Sequence, residues 1–99
     1  MGLDFAIDEL FATGWSALDT AGCASSGGRW VPTVERVRDE FLRAGFTLSV
    51  RHVQLFDCYR AEWSDAQGLP AGSVVGQSEH EAVIYALAQL RRSSTAATA

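Results

Sequence analysis

Hydrophobic positions along this chain recur with two periods. From Phe5 to Thr13, Ile7, Leu10 and Phe11 form the apolar face of a short helix, with Asp4 placed to cap it, Asp8 and Glu9 toward its positive end, and Gly14 to stop it. Thr33 is placed to cap a second helix, in which Val34, Val37, Phe41 and Leu42 fall on one side and Gly45 takes the left-handed position after the last turn. Arg36 with Glu40 and Asp39 with Arg43 are spaced to pair on its solvated face. The period then changes to two. Phe46, Leu48 and Val50 alternate with Thr47, Ser49 and Arg51, and Tyr59, Ala61 and Trp63 alternate with Cys58, Arg60 and Glu62, which predicts two half-buried strands joined by a turn within 54–57.

Beyond the turn residues Gly68, Pro70 and Gly72, the run Ser73 to Val75 predicts a short third strand. The strongest local signal follows it. Ser78 and Glu81 form a capping box, with the hydroxyl accepting from the Glu81 amide and the carboxylate expected at the amide of Ser78. Ala82, Val83, Ala86, Leu87 and Leu90 then require a partner surface along one stripe of a helix that is expected to end at Arg91 and Arg92. Trp15 to Pro32, rich in glycine and serine, reads mainly as a loop, with a helical turn within 16–21 as its one regular piece.

The expected fold is therefore α+β, a small three-stranded antiparallel sheet with helices on one face, in the order α-loop-α-β-β-β-α. Residues 1–92 make one domain, and 93–99 make a disordered C-terminal tail of small polar residues. With 99 residues and 47% hydrophobic content, the chain supports one core and not two. No stretch approaches the ~20 apolar residues that span a bilayer, and the first residues do not resemble a signal peptide, so a cytoplasmic protein is expected. Cys23 and Cys58 are too few for a disulfide framework and read as free thiols.

Charge narrows the expected partners further than composition does. The net charge is −4, and Asp4, Asp8, Glu9 and Asp19 precede the first basic residue, Arg29. All basic residues are arginine, and asparagine is also absent, a codon signature expected of a GC-rich bacterial genome. An acidic chain without a basic face is repelled by phosphate backbones and anionic membranes, so neither is an expected partner.

Thr33 to Arg92 resembles, in element order and spacing, the double-stranded-RNA-binding domain, whose last helix opens with a serine, two lysines, a variable residue and an alanine. Ser78 and Ala82 fit that frame, but Glu79 and His80 replace the lysines and Glu81 adds an acid. The glycine-proline-histidine turn of that family is missing too, since His52 follows Arg51 with neither Gly nor Pro beside it. The resemblance thus implies the topology, while carboxylates at a phosphate-facing helix start argue against RNA binding. The same span is similar in helix-hairpin-helix order to phage-encoded alpha-beta-alpha sandwich domains, which implies no activity.

Candidate chemistry is sparse. Cys58, His52 and Asp57 together would suit a thiol nucleophile with its base and orienting acid, although a cysteine on a strand is most often a small buried hydrophobe. Cys23, Cys58, His52 and His80 are soft metal ligands without the spacing of a zinc site, and no cofactor is expected. Arg51 and Arg60 share the polar sheet face and are candidates for binding an anion, with Glu62 placed to neutralise Arg60. Trp15 and Trp30 bracket the long loop, with Arg29 beside the second, and serve either recognition or a clamp onto the core. The expected function is a non-catalytic protein-interaction or regulatory module, recognising a protein partner through the acidic first helix and the Trp15 to Trp30 loop. The alternatives are a weak nucleic-acid binder using Arg51 and Arg60, and a cysteine-dependent enzyme centred on Cys58.

Overall fold

The polar and apolar alternation from Thr47 onward does build a sheet. The computed structural model describes residues 2–15, 22–26 and 29–98, with side chains to residue 93 apart from residue 26. Its elements are α1 (Leu3–Ala12), β1 (Cys23–Ser26), β2 (Arg29–Pro32), α2 (Val34–Arg43), β3 (Thr47–Val53), β4 (Cys58–Ser64), β5 (Pro70–Gly76) and α3 (Glu79–Thr98). Strands β3, β4 and β5 form an antiparallel sheet in that order, so the fold is α+β with a three-stranded sheet. Leu48, Ala61 and Trp63 on one face are buried against α2 and α3, and Phe41 of α2 packs its ring 5.4 Å from that of Trp63.

Helix α3 is the centre of the molecule. It contacts all three strands of this sheet, α2 and α1, and Ala82, Val83, Ile84, Ala86, Leu87 and Ala88 are all buried. A helix buried on nearly every side belongs to a middle layer, which explains an apolar run broader than a single stripe. Its start is held by Ser78, whose hydroxyl accepts from the Glu81 amide at 3.1 Å. The Glu81 carboxylate reaches back one residue further than the expected capping box, to the amide of Gln77 at 3.2 Å. Helix α2 is capped as expected, with Thr33 Oγ1 accepting from the Arg36 amide at 3.2 Å. It ends in a Schellman motif, with Phe46 N–H donating to Phe41 O at 2.9 Å, Gly45 N–H to Leu42 O at 3.1 Å, and Gly45 at φ 89°.

Several expectations are corrected. The segment read as a loop contains the hairpin β1–β2, whose register from Cys23↔Pro32 to Ser26↔Arg29 leaves two residues, Gly27 and Gly28, between the strands. A Gly-Gly pair is a hairpin signal, obscured here because neither four-residue strand is long enough to show a period. Residues 27–28 and the expected helical turn within 16–21 lie outside the described residues. Strand β5 runs from Pro70, longer than expected, because its glycines are packing positions. A Cβ on Gly72 would lie 2.3 Å from Trp63 Cζ2, and one on Gly76 would lie 2.7 Å from Ala82 N.

Smaller differences are local. Gly2, not Asp4, precedes α1, and Asp4 sits in the first turn. Leu42 is exposed, and Arg43 pairs with Glu40 at 3.5 Å in place of Asp39. The backbone of α3 continues past Arg92 to Thr98, where the sequence pattern ends the helix, since Ala96 and Ala97 favour helix and no Gly or Pro interrupts it. None of the helices among the described residues is long and apolar enough to cross a membrane.

Candidate functional site

The five residues singled out from sequence occupy three separate places. Trp15 is 6% exposed and packs in the core. The guanidinium carbons of Arg36 and Arg91 each lie 5.6 Å from its ring centroid, a geometry in which the negative face of the indole stabilises a partly desolvated cation. Arg91 also donates from Nε to Thr13 Oγ1 at 2.8 Å, tying α3 to the end of α1. The indole Nε1 finds no hydrogen-bond partner among the described residues.

Trp30 stands apart from this, 48% exposed on β2. Its neighbour Arg29 donates to Asp8 of α1 at 2.7 Å and lies 5.2 Å from the Phe11 centroid, so β2 is strapped across α1. Glu9 is engaged by Arg92. Two of the acids on the first helix are therefore already paired, and the acidic face is less open than the sequence implies.

Arg51 and Arg60 are cross-strand partners on the sheet face that α2 and α3 leave open. Both contact one oxygen of Glu62, Arg51 Nε at 3.3 Å and Arg60 Nε at 3.1 Å, and Arg60 also donates to Ser73 Oγ at 3.3 Å. One carboxylate shared by two arginines leaves a small residual charge on a solvated surface.

The thiol constellation does not assemble. In the β3–β4 register His52 faces Tyr59 and Val53 faces Cys58, so alternation puts the His52 and Cys58 side chains on opposite faces of the sheet. His52 instead contacts Asp57 at 3.1 Å and lies against the Tyr59 ring. His80 Nε2 lies 2.9 Å from Pro32 O, so that nitrogen carries the proton and donates, joining β2 to the start of α3. No group of three or more His, Cys, Asp or Glu suited to a metal ion exists among the described residues.

What the sequence did not reveal is a cleft of about 690 Å³ beside β5. Its sheet side is Cys58, Val74, Val75 and Gly76, and Gly2 borders it. Its helix side is Glu81, Tyr85, Gln89 and Arg92, which at spacings of four, four and three residues form one stripe of α3. The Tyr85 ring lies 6.3 Å from that of Phe5, and its phenol is held above the usual tyrosine range, first by burial and then by the nearby Glu81 charge. Next to the cleft along the chain, a 3-10 turn at Gln54–Phe56 presents Leu55 and Phe56 at 84% and 73% exposure. Asp57 closes the turn in the left-handed region at φ 48°. The only sequence signal for this tip was the loss of alternation between Val53 and Cys58, which marks a turn without saying what it displays.

Comparison with protein-family models, with curated proteins and with solved structures finds no match to this chain.

Proposed function

We propose that this domain is a non-catalytic protein-interaction or regulatory module of the bacterial cytoplasm, with a protein as its partner. The observation that carries the reading is the display of Leu55 and Phe56 on the β3–β4 turn, close in the chain to Cys58, which lines the apolar cleft. Burying such side chains is worth about 1.5–3 kcal/mol each, so holding both in water forgoes stability that a partner would recover. Val75, 57% exposed on β5, adds a further exposed apolar side chain in the lining of that cleft. The free thiols Cys23 and Cys58 suit a reducing compartment.

The test is capture from host lysate by the wild-type protein and by the double variant Leu55→Ser with Phe56→Ser. Both residues are exposed, so the variant should melt cooperatively at close to the wild-type temperature, yet lose the complexes that wild type retains. Equal recovery by both proteins would defeat this reading.

A further inference from the structure

We propose that the cleft between β5 and α3 binds an extended, apolar segment of a partner protein that carries one basic side chain directed at Glu81. This deepens, and rests on, the reading of the domain as an interaction module. Three features of the cleft define the occupant.

The first is the sheet edge. Strand β5 is paired on one side only, with β4, and among the described residues no other backbone bonds to it between Ala71 and Gly76. Its outer N–H and C=O groups match an extended chain laid alongside, the mode in which main-chain hydrogen bonds supply affinity and neighbouring pockets supply selectivity. The second is length. Glu81 to Arg92 on the helix wall covers about 16 Å at the helical rise, the reach of roughly five extended residues.

The third is charge. Glu81 is only 5% exposed, and its carboxylate accepts from the Gln77 amide through Oε1, while Oε2 has no partner among the described residues. A carboxylate so placed is stabilised by an incoming cation and repels an incoming anion. Among the described residues the one cation lining the cleft does not supply this, because Arg92 is engaged by Glu9. Val74, Val75, Gly76 and the Tyr85 ring complete an apolar surround in which a hydrocarbon-flanked arginine or lysine can lay its stem.

The experiment is a fluorescence-anisotropy titration of the intact chain with two labelled, end-capped pentapeptides, Val-Arg-Val-Thr-Val and Val-Glu-Val-Thr-Val. The basic peptide should bind about tenfold or more tighter, the scale of one charge-assisted contact. Glu81→Gln keeps an oxygen acceptor for the Gln77 amide and should keep the fold, while the preference for the basic peptide collapses. Methylating alternate backbone nitrogens of the basic peptide should abolish its binding if it adds to β5 as a strand.

Equal affinity for the two peptides, or no binding of either, overturns the proposal by itself, whatever the variant does. A charge preference that survives Glu81→Gln also overturns it. Displacement of the peptide by n-butylamine, together with indifference to backbone methylation, would show an amine pocket in place of a peptide groove. If these titrations fail while the complexes dependent on Leu55 and Phe56 persist, the peptide assignment falls and the interaction module stands. Failure of both removes the module reading as well.

Discussion

Trp15 and Trp30 carry the same side chain into opposite surroundings. Trp15, buried between Arg36 and Arg91, ties the end of α1 to the bodies of α2 and α3, whereas Trp30 stands half in water on a two-stranded hairpin. Trp15→Ala should therefore cost about 3–5 kcal/mol, the usual loss for a buried aromatic, read by urea denaturation with far-UV circular dichroism. Trp30→Ala should change stability by about 0.5 kcal/mol or less in the same experiment. Two similar losses would mean that the hairpin is as much a part of the core as Trp15. Each follows closely on glycine, which leaves its burial open, and the two arginines that cover Trp15 come from distant elements. Arg51 and Arg60 are different in this respect. Their alternation with Val50 and Ala61 already places them on the polar face, and only their common partner Glu62 required the strand register.

At the scale of elements, the contact between β5 and α3 is a tight constraint that involves backbone on both sides. Gly76 leaves no room for a methyl group against the backbone of Ala82, and neither neighbour is a flexible side-chain tip that could swing away. Gly76→Ala should accordingly destabilise the domain by about 1–3 kcal/mol in thermal or chemical melts, the range for overpacking a filled site. A neutral result would mean that the helix start can shift off the strand. The caps of α2 and α3 were legible because Thr33, Gly45 and Ser78 act on backbone groups within a few residues of themselves. The length of β5 was not, because Pro70, Gly72 and Gly76 resemble turn residues until Trp63 and Ala82 are seen packed against them. The hairpin β1–β2 was missed for a related reason. Its four-residue strands are too short to show a period, and it is anchored at its base by Thr33 Oγ1 donating to Gly22 O at 2.9 Å and to α1 by the bridge from Arg29 to Asp8.

Across the whole molecule, charge argues against nucleic acid as a partner. The chain carries −4 overall, Glu79 and Glu81 lie in the first turn of α3, and the arginine pair on the open sheet face shares Glu62. Gel-shift assays with duplex RNA at physiological salt should show no complex below about 1 μM, because binding of that strength needs several phosphate contacts from basic residues. A shift that weakens steeply with added salt would reverse that conclusion. Periodicity and capping by themselves determined the α+β class, the strand-turn-strand of β3 and β4, and the start of each of the last two helices. These are set by interactions between residues close in sequence, or by the burial of one face of one element. Packing between distant elements makes α3 a middle layer and buries Trp15 but not Trp30, and strand register turns Cys58 and His52 to opposite faces. The tertiary structure alone decided that a cleft opens where the edge of β5 meets Glu81, Tyr85, Gln89 and Arg92. A cleft is the space that packing leaves between elements, and no single element encodes it.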